Sequence, residues 1–197
     1  MTGAGRGNFI TVAGVTLLSR ALDAPGFAPL PPRARALLET LGAPPRLGAH
    51  LRVVHDVAVT LTGWVGPRVD VPAVLFGAAT HDIGKVRHPA ELSGPGSLHE
   101  EAGYRLLLAQ GVEEGLARFA RTHGSWESAD VTLDDLLVTL ADKVWKGKRL
   151  PDLEQRVAEG LGGPVWETFL ALDDELERLA SGADERLAFQ AAYPTSG

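Results

Sequence analysis

The chain of 197 residues is long enough for one domain with a sizeable core and leaves no room for a second large module. Hydrophobic residues make up 45% and charged residues 22%, which argues against disorder through most of the length. The net charge of −6 disfavours bulk nucleic acid as a partner. The lack of cysteine excludes disulfides and thiolate ligands, so any metal must be held by nitrogen and oxygen atoms.

Residues 1–45 are predicted to hold two helices separated by a proline-rich loop. A helix is expected over residues 9–22, DAPGFAPLPP is typical of a loop, and RARALLETLG predicts a short helix that stops at Gly42. The segment NFITVAGVTLLS is about as long as a signal-peptide core, but it follows only Arg6 and lacks a convincing cleavage site. No run approaches the ~20 apolar residues of a membrane span. We therefore expect a cytoplasmic protein without a membrane partner.

Residues 46–150 continue the helical spacing of apolar residues. Over residues 47–62 they recur at every third and fourth position, which places His50 on the buried stripe of a helix and His55 on its flank. The segment 71–81 is apolar nearly all round, as a central helix of an all-α domain would be. It is expected to end at HDIG, with Gly84 as its stop.

The segment VRHPAELSGPG is predicted to be a loop. The next helix begins with SLHE, in which Ser97 and Glu100 have the spacing of a capping box, and runs to Gly111. Another helix is expected over residues 112–123, ended by Gly124.

The remaining segments also predict helices. TLDDLLVTLADKVWKG forms a long helix with a Thr or Asp cap. Residues 151–197 read as two or three more helices, with WETFLALDDELERLA the clearest, and the final YPTSG is expected to be frayed. The sequence thus predicts one all-α domain over residues 1–197.

Several of these segments carry residues with nitrogen or oxygen ligand atoms. Any one of the histidines alone is more commonly a structural or surface residue, but burying several imidazoles and carboxylates together is costly without a cation. Imidazole and carboxylate without thiolate suit Mn, Fe or Zn. Adjacent residues point apart on a helix, so His81 and Asp82 can serve one centre mainly at a helix end. The candidate metal ligands are His50, His81, Asp82, His99, His123 and Asp142.

The ordered set of His50, HDIGK and the aspartate of LADKVWKGKR resembles the HD superfamily of metal-dependent phosphohydrolases, whose signature is H…HD…D on a helical bundle. The segment HLRVVHDVAVTL is similar to the opening helix of that family, in which apolar residues follow the ligand histidine by four and eight positions. Val54 and Ala58 fit this spacing from His50, so we favour His50 over His55. The resemblance covers about residues 46–150 and implies an HD-domain helical bundle with a C-terminal helical extension.

The superfamily includes members with four ligands and one metal, and members with additional histidines and two metals. SLHEEAGYRLL and FARTHGSW fall where two-metal members carry those histidines. By this resemblance, one ion would be held by His50, His81, Asp82 and Asp142. A bridging Asp82 with His99 and His123 would hold a second ion; if these two histidines are only caps or solvated, one metal remains. Divalent ions are expected, with Fe or Mn favoured and Zn, Mg, Ni or Co left open.

Marks of several subfamilies are missing from the sequence. The HD pair is followed neither by the acidic pair of alarmone hydrolases nor by the second histidine and Pro-Phe run of dNTP triphosphohydrolases. THGSWES lacks the features of the cyclic-dinucleotide phosphodiesterases that carry a GYP motif. The chain looks most like the small stand-alone members, among them the symmetrical dinucleoside-tetraphosphate hydrolases.

The resemblance implies hydrolysis of a phosphate ester or anhydride in a nucleotide-like small molecule by metal-activated water. Asp82 and Lys85 are the candidate catalytic residues, and Lys85, Arg121 and Lys146 are the candidate contacts to the phosphorylated substrate. Lys146 ranks above Lys143 because it lies one helical turn beyond the ligand Asp142.

Two other functions stay open at this point. One is a regulatory module that binds a nucleotide or a partner protein without chemistry, and the other is an HD-type oxygenase with a mixed-valence di-iron centre. His55 and His88 are expected to be solvated, Trp126 is expected to pack rather than to cover a nucleobase, and a homodimer is left open as the assembly.

Overall fold

The computed structural model describes residues 16–195, and within that range the chain is all-α, without a strand. The predicted fold class is thereby confirmed. The helices are α1 (Leu17–Leu22), α2 (Pro32–Thr40), α3 (Pro45–Val65), α4 (Val71–Ala78), α5 (Leu98–Ala109), α6 (Glu114–Ala117), α7 (Phe119–Thr122), α8 (Leu133–Val144), α9 (Pro151–Leu161), α10 (Val165–Ser181) and α11 (Ala183–Ala191). Two 3-10 helices, Ile83–Val86 and Pro89–Leu92, lie between α4 and α5. No helix in this part of the chain is both long and apolar enough to cross a membrane.

Helix α3 is the central element of the bundle. Proline at its first position suits a helix start, because the missing N–H would have no partner there and φ is already helical. The helix ends at Gly66, whose φ of 72° favours glycine. Its first half packs into an apolar cluster with α1, α2 and α5, and its second half into a cluster with α4, α8, α9 and α10. His50 therefore lies where the two apolar clusters meet.

The predicted helix over residues 71–81 ends earlier than expected. Helix α4 stops at Ala78, and the N–H of His81 donates to the carbonyl of Gly77 at 2.8 Å in the turn that follows. Gly84 does not stop α4, because it lies inside the 3-10 helix Ile83–Val86. Because α4 ends at Ala78, both His81 and Asp82 lie in the irregular turn between two helices, where adjacent side chains can converge.

The predicted helix over residues 112–123 is also interrupted. It divides into α6 and α7 at Arg118, whose side chain turns inward and donates from Nε to Asp135 Oδ1 at 3.1 Å. The loop expected before α5 contains the 3-10 helix Pro89–Leu92. Both differences depend on contacts between distant segments rather than on local apolar spacing.

The C-terminal helices close the bundle. Helix α11 packs against α3, and the N–H of Arg46 donates to the carbonyl of Pro194 at 3.0 Å. The rings of Phe27 and Phe189 lie 4.7 Å apart between their centroids. Residues 193 and 194 are thus held by hydrogen bonds, so the expectation of a frayed end is wrong for them. Of the first predicted helix, residues 9–15 lie outside the described residues, and α1 accounts for the rest.

Candidate metal centre

Six buried side chains from five parts of the bundle converge at one place. Helix α3 supplies one, the turn after α4 supplies two, the first turn of α5 supplies one, the end of α7 supplies one, and α8 supplies the last. Their exposed fractions lie between 0% and 7%. They are the candidate ligands named from the sequence, namely His50, His81, Asp82, His99, His123 and Asp142.

Asp82 lies at the centre of this cluster, and its two oxygens face different histidines. Oδ2 is 3.0 Å from Nε2 of His50 and 3.7 Å from Nε2 of His81. Oδ1 is 2.9 Å from Nε2 of His99 and 3.4 Å from Nε2 of His123. A carboxylate placed in this way can join two neighbouring cation sites.

The cluster therefore divides into two half-sites that share Asp82. In the first, Nε2 of His50 and Nε2 of His81 are 3.4 Å apart, and Oδ1 of Asp142 lies 3.6 and 3.5 Å from them. In the second, Nε2 of His99 and Nε2 of His123 are also 3.4 Å apart. The ligand atoms of His50, His81 and Asp82 lie within 4.8 Å of one another, as do those of Asp82, His99 and His123.

In three of the histidines, Nδ1, the ring nitrogen that does not face Asp82, has a hydrogen-bond partner. Nδ1 of His81 lies 3.0 Å from the carbonyl of Ala78, and Nδ1 of His123 lies 3.2 Å from the carbonyl of Phe119. When a cation is bound, a ring that donates from Nδ1 can offer the lone pair of Nε2 to it in place of a hydrogen bond to a carboxylate. Nδ1 of His99 lies 2.5 Å from the carboxylate of Glu91. The donor set and its orientation fit divalent ions.

The electrostatics of the site favour ionised carboxylates. Burial alone would raise the pKa of Asp82, but the neighbouring His81 and the hydrogen bonds from the other histidines hold that pKa well below its usual range. Burial opposes ionisation of Asp142 as well, and the hydrogen bond from His81 and the charge of Lys143 hold its pKa well below the ordinary value. Two buried carboxylates among imidazoles are a suitable environment for bound cations.

Two glycines allow the HDIG segment to approach α5. A Cβ at Gly84 would overlap with the carbonyl oxygen of His99 and would lie 2.5 Å from the nitrogen of Gly103. A Cβ at Gly103 would in turn lie 3.0 Å from the nitrogen of Gly84. Because backbone meets backbone here, His99 comes close to Asp82. Gly84 thus contributes to the site through this close approach.

A cavity of about 330 Å³ opens over the cluster and carries three lysines on its lining. Nζ of Lys85 lies 2.5 Å from Oδ2 of Asp82, and Nζ of Lys143 lies 2.6 Å from Oδ2 of Asp142. Lys146 lines the solvent-exposed rim. The sequence ranking of Lys146 over Lys143 is not supported, since both line the cavity and Lys143 contacts a candidate ligand directly.

Arg121 lies outside the lining of this cavity, in contrast to the prediction that it contacts substrate. Its Nε donates to Glu101 Oε2 at 2.9 Å, and its guanidinium lies 3.6 Å from the centroid of the Tyr104 ring. Arg121 comes shortly before His123 in the chain, but residues so close together on a helix point apart, so it faces the outer surface of α5.

His55 and His88 are not candidate ligands, and the sequence predicts both to be solvated. His55 is 2% exposed, so the prediction that it is solvated is wrong, and it is not among the described residues that form the cluster or line the cavity. His88 is half-buried and is not among the described residues that line the cavity, and Trp126 packs against the core. The choice of His50 over His55 agrees with this geometry.

Sequence reasoning missed two residues of the site. Glu91 contacts His99 from the preceding 3-10 helix, and Gln190 lines the cavity from α11, which begins more than forty residues after Asp142. Neither stands at a motif spacing from the candidate ligands. The capping box expected from Ser97 and Glu100 is absent too: the N–H of Glu100 donates to the backbone carbonyl of Ser97 at 3.2 Å, and the N–H of His99 donates to Glu91 Oε2.

The chain matches the family model described as HD domain over residues 47–145, which is half of its length. The matched range includes all six residues of the cluster and ends before α9. No curated protein and no solved structure matches the chain significantly.

Proposed function

The chain belongs to the HD domain family, and from this premise we propose that it is a metal-dependent phosphohydrolase. Its substrate is a nucleotide-like small molecule with a phosphate ester or anhydride. Members of the family are mostly metal-dependent hydrolases. The net charge of −6 argues only against bulk nucleic acid as the substrate.

The observation that carries the proposal is the position of Asp82 between two sets of histidines. Its Oδ2 faces His50 and its Oδ1 faces His99, so one carboxylate serves both half-sites. Divalent ions held by these residues would supply a water of lowered pKa as the nucleophile and would polarise a phosphoryl oxygen. Asp142 would complete the first half-site, and His123 the second.

The lysines of the cavity supply the positive charge that a phosphate needs. Lys85 and Lys143 place their ammonium groups beside the two candidate carboxylate ligands, at 2.5 and 2.6 Å. A phosphate bound over the half-sites lies within reach of both side chains, which orient it and neutralise charge on the leaving oxygen. Lys146 extends this positive surface to the rim.

The proposal is tested by measuring phosphate release by the full chain, loaded with Mn²⁺ or Fe²⁺, from a panel of nucleotides, dinucleoside polyphosphates and simple phosphate monoesters. We expect turnover, and we expect Asp82→Ala to lose both metal and activity while its circular dichroism remains helical. Normal metal content in Asp82→Ala would contradict the assignment of the site. Inactivity toward the whole panel with both half-sites filled would contradict the function.

Lys85→Met separates phosphate contact from metal binding. The substitution keeps the aliphatic stem and removes the charge, so both ions should bind while kcat/KM falls by about 10² to 10³, the range measured for the loss of one group that stabilises transition-state charge. Lys148→Met is the control, since Lys148 is exposed and is not among the described residues that line the cavity. If kcat/KM is the same in the two variants, Lys85 does not contact the phosphate during the reaction.

The same site geometry bears on the other candidate functions. A non-catalytic module tolerates loss of a ligand, whereas all six side chains are present and converge here. A di-iron oxygenase would consume oxygen and show visible absorbance when loaded with iron. Oxygen uptake without phosphate release would favour that function over hydrolysis.

A further inference from the structure

Glu91 is a half-buried residue whose carboxylate contacts His99 of the second half-site on the side away from Asp82. It lies in the 3-10 helix Pro89–Leu92, and its side chain is 9% exposed. Oε2 lies 2.5 Å from Nδ1 of His99 and also accepts a hydrogen bond from the N–H of His99 at 3.2 Å. Oε1 accepts from the N–H of Leu98 at 3.2 Å. One carboxylate therefore holds both the ring of His99 and the first turn of α5.

The chain makes room for this carboxylate with a glycine. A Cβ at Gly96 would lie 2.5 Å from Oε1 and 2.6 Å from Cγ of Glu91, so any larger residue at position 96 would displace the side chain. Ser97, which stands at the N-cap, makes no side-chain capping bond within the part of the chain that the structure describes. Glu91 takes over that role.

The other histidines of the cluster are held differently. Nδ1 of His81 and Nδ1 of His123 face backbone carbonyls, and Nδ1 of His50 is buried without a hydrogen-bond partner among residues 16–195. Of the described ligand histidines, His99 alone has a side-chain carboxylate on its outer nitrogen. A change at this position can therefore affect one half-site while leaving the other intact.

We propose that Glu91 is the positioning residue of the second half-site, and this inference rests on the proposed function. The carboxylate accepts a hydrogen bond from Nδ1–H of His99 and fixes the plane of the ring. Nε2, which lies 2.9 Å from Oδ1 of Asp82, is thereby oriented toward the second half-site. Glu91 thereby raises the affinity of the second half-site for its ion, while the first half-site, with its ligands on α3, α8 and the turn after α4, does not depend on it.

Calorimetric titration with Mn²⁺ and electron paramagnetic resonance of the loaded protein test this role. The native chain should bind two ions and show the spectrum of a magnetically coupled pair. In Glu91→Ala the affinity for the second ion should fall by about 10- to 100-fold, the cost typical of removing a partner of a ligand histidine. The first ion should bind as before, and the coupled spectrum should give way to that of isolated Mn²⁺.

Two further variants keep the test decisive. Glu91→Gln retains an oxygen acceptor of the same size and should give an intermediate loss, and it serves in place of Glu91→Ala if that variant does not fold. Glu101→Gln is the matched control, because Glu101 lies on α5 but contacts Arg105 and Arg121 on the surface. The control should bind two ions with native affinities.

The outcomes distinguish this inference from the proposed function. If Glu91→Ala and Glu91→Gln are less heat-stable but bind both ions normally, Glu91 is only a helix cap and the inference is wrong. If the native chain binds a single ion, the binuclear site and the inference fail together. If the native chain binds two ions and the variants lose one, but no phosphate compound is hydrolysed, the inference holds and the proposed function fails.

Discussion

His55 is a buried histidine outside the candidate metal centre. It is 2% exposed, and its Nδ1 has no hydrogen-bond partner within the described range. Burial, together with the positive charge of Arg52, lowers the pKa of His55 to about 4. His55 is therefore a neutral imidazole in the interior near neutral pH, although its position on the flank of the buried stripe predicts a solvated side chain.

This histidine predicts a loss of stability in mild acid. The unfolded chain takes up the proton near pH 6.5, whereas the native chain resists it down to about pH 4, so the free energy of unfolding falls as pH drops through that window. At pH 5 the loss through this group amounts to about 2 kcal/mol, since each pKa unit corresponds to about 1.4 kcal/mol. Denaturant unfolding at pH 7.5 and pH 5 measures it.

The variant His55→Leu isolates this effect from other titrations. It removes the buried imidazole, so its stability should fall less than that of the native chain between the two pH values. His88→Leu is the control for loss of a half-buried histidine elsewhere. If the native chain and His55→Leu lose stability in parallel, the buried position of His55 does not affect acid stability.

At the scale of single elements, local patterns predict helix starts only where the contacts are local. Thr132 and Asp135 form the capping box of α8 in both directions, as the spacing within TLDD allows. The same spacing at Ser97 and Glu100 fails because Ser97, with φ of −130° and ψ of 5°, is not extended and its backbone carbonyl accepts the N–H of Glu100. Glu91 accepts the N–H groups of Leu98 and His99 instead. The failed cap lies at the candidate metal centre, where a long-range contact replaces a local one.

The close contact between the 3-10 helix Ile83–Val86 and α5 predicts that Gly84→Ala is destabilising. The new Cβ would overlap with backbone atoms of His99 and Gly103, which cannot move as side chains do. We expect a loss of about 1–3 kcal/mol or more in the free energy of unfolding, the range for overpacking a tight contact. The separation of His99 from Asp82 should increase, so affinity for the second ion should fall as well.

Gly63→Ala is the matched control for this substitution. Gly63 lies within α3, and a methyl group added there would meet no described atom of a neighbouring element within 4 Å, so alanine should raise stability by up to about 1 kcal/mol through helix propensity. Urea unfolding and Mn²⁺ titration of both variants provide the comparison. A native free energy of unfolding and a native Mn²⁺ affinity in Gly84→Ala would show that the 3-10 helix Ile83–Val86 and α5 can move apart without loss of stability.

At the scale of the whole molecule, the sequence predicts the helices and the six converging residues better than it predicts their surroundings. Apolar spacing reports which face of α3 is buried, and the order of His50, HDIG and Asp142 indicates a shared site, because both signals are carried by the residues themselves. Arg121 and Glu91 show which features of the site the sequence does not predict. Their roles depend on which helix surfaces meet across the bundle, and no spacing along the chain encodes that.

The convergence of ligands from separate helices predicts that metal removal destabilises the entire bundle. The six side chains come from α3, the turn after α4, α5, α7 and α8, so only the folded chain offers the complete set. An ion at a thousand times its Kd then adds about 4 kcal/mol to the free energy of unfolding. For a chain of this size that corresponds to a rise in Tm of about 8–16 °C.

Thermal unfolding of the chelated and the Mn²⁺-loaded protein measures this rise, with Asp82→Ala as the comparison. The native chain should gain stability with each increment of Mn²⁺ above Kd, whereas Asp82→Ala, which lacks the carboxylate common to both half-sites, should show little change. Glu91→Ala should keep the part of the rise that belongs to the first half-site. An equal rise in Asp82→Ala would mean that the ions stabilise the chain from somewhere other than the cluster, because a ligand stabilises a fold only through the native site that it occupies.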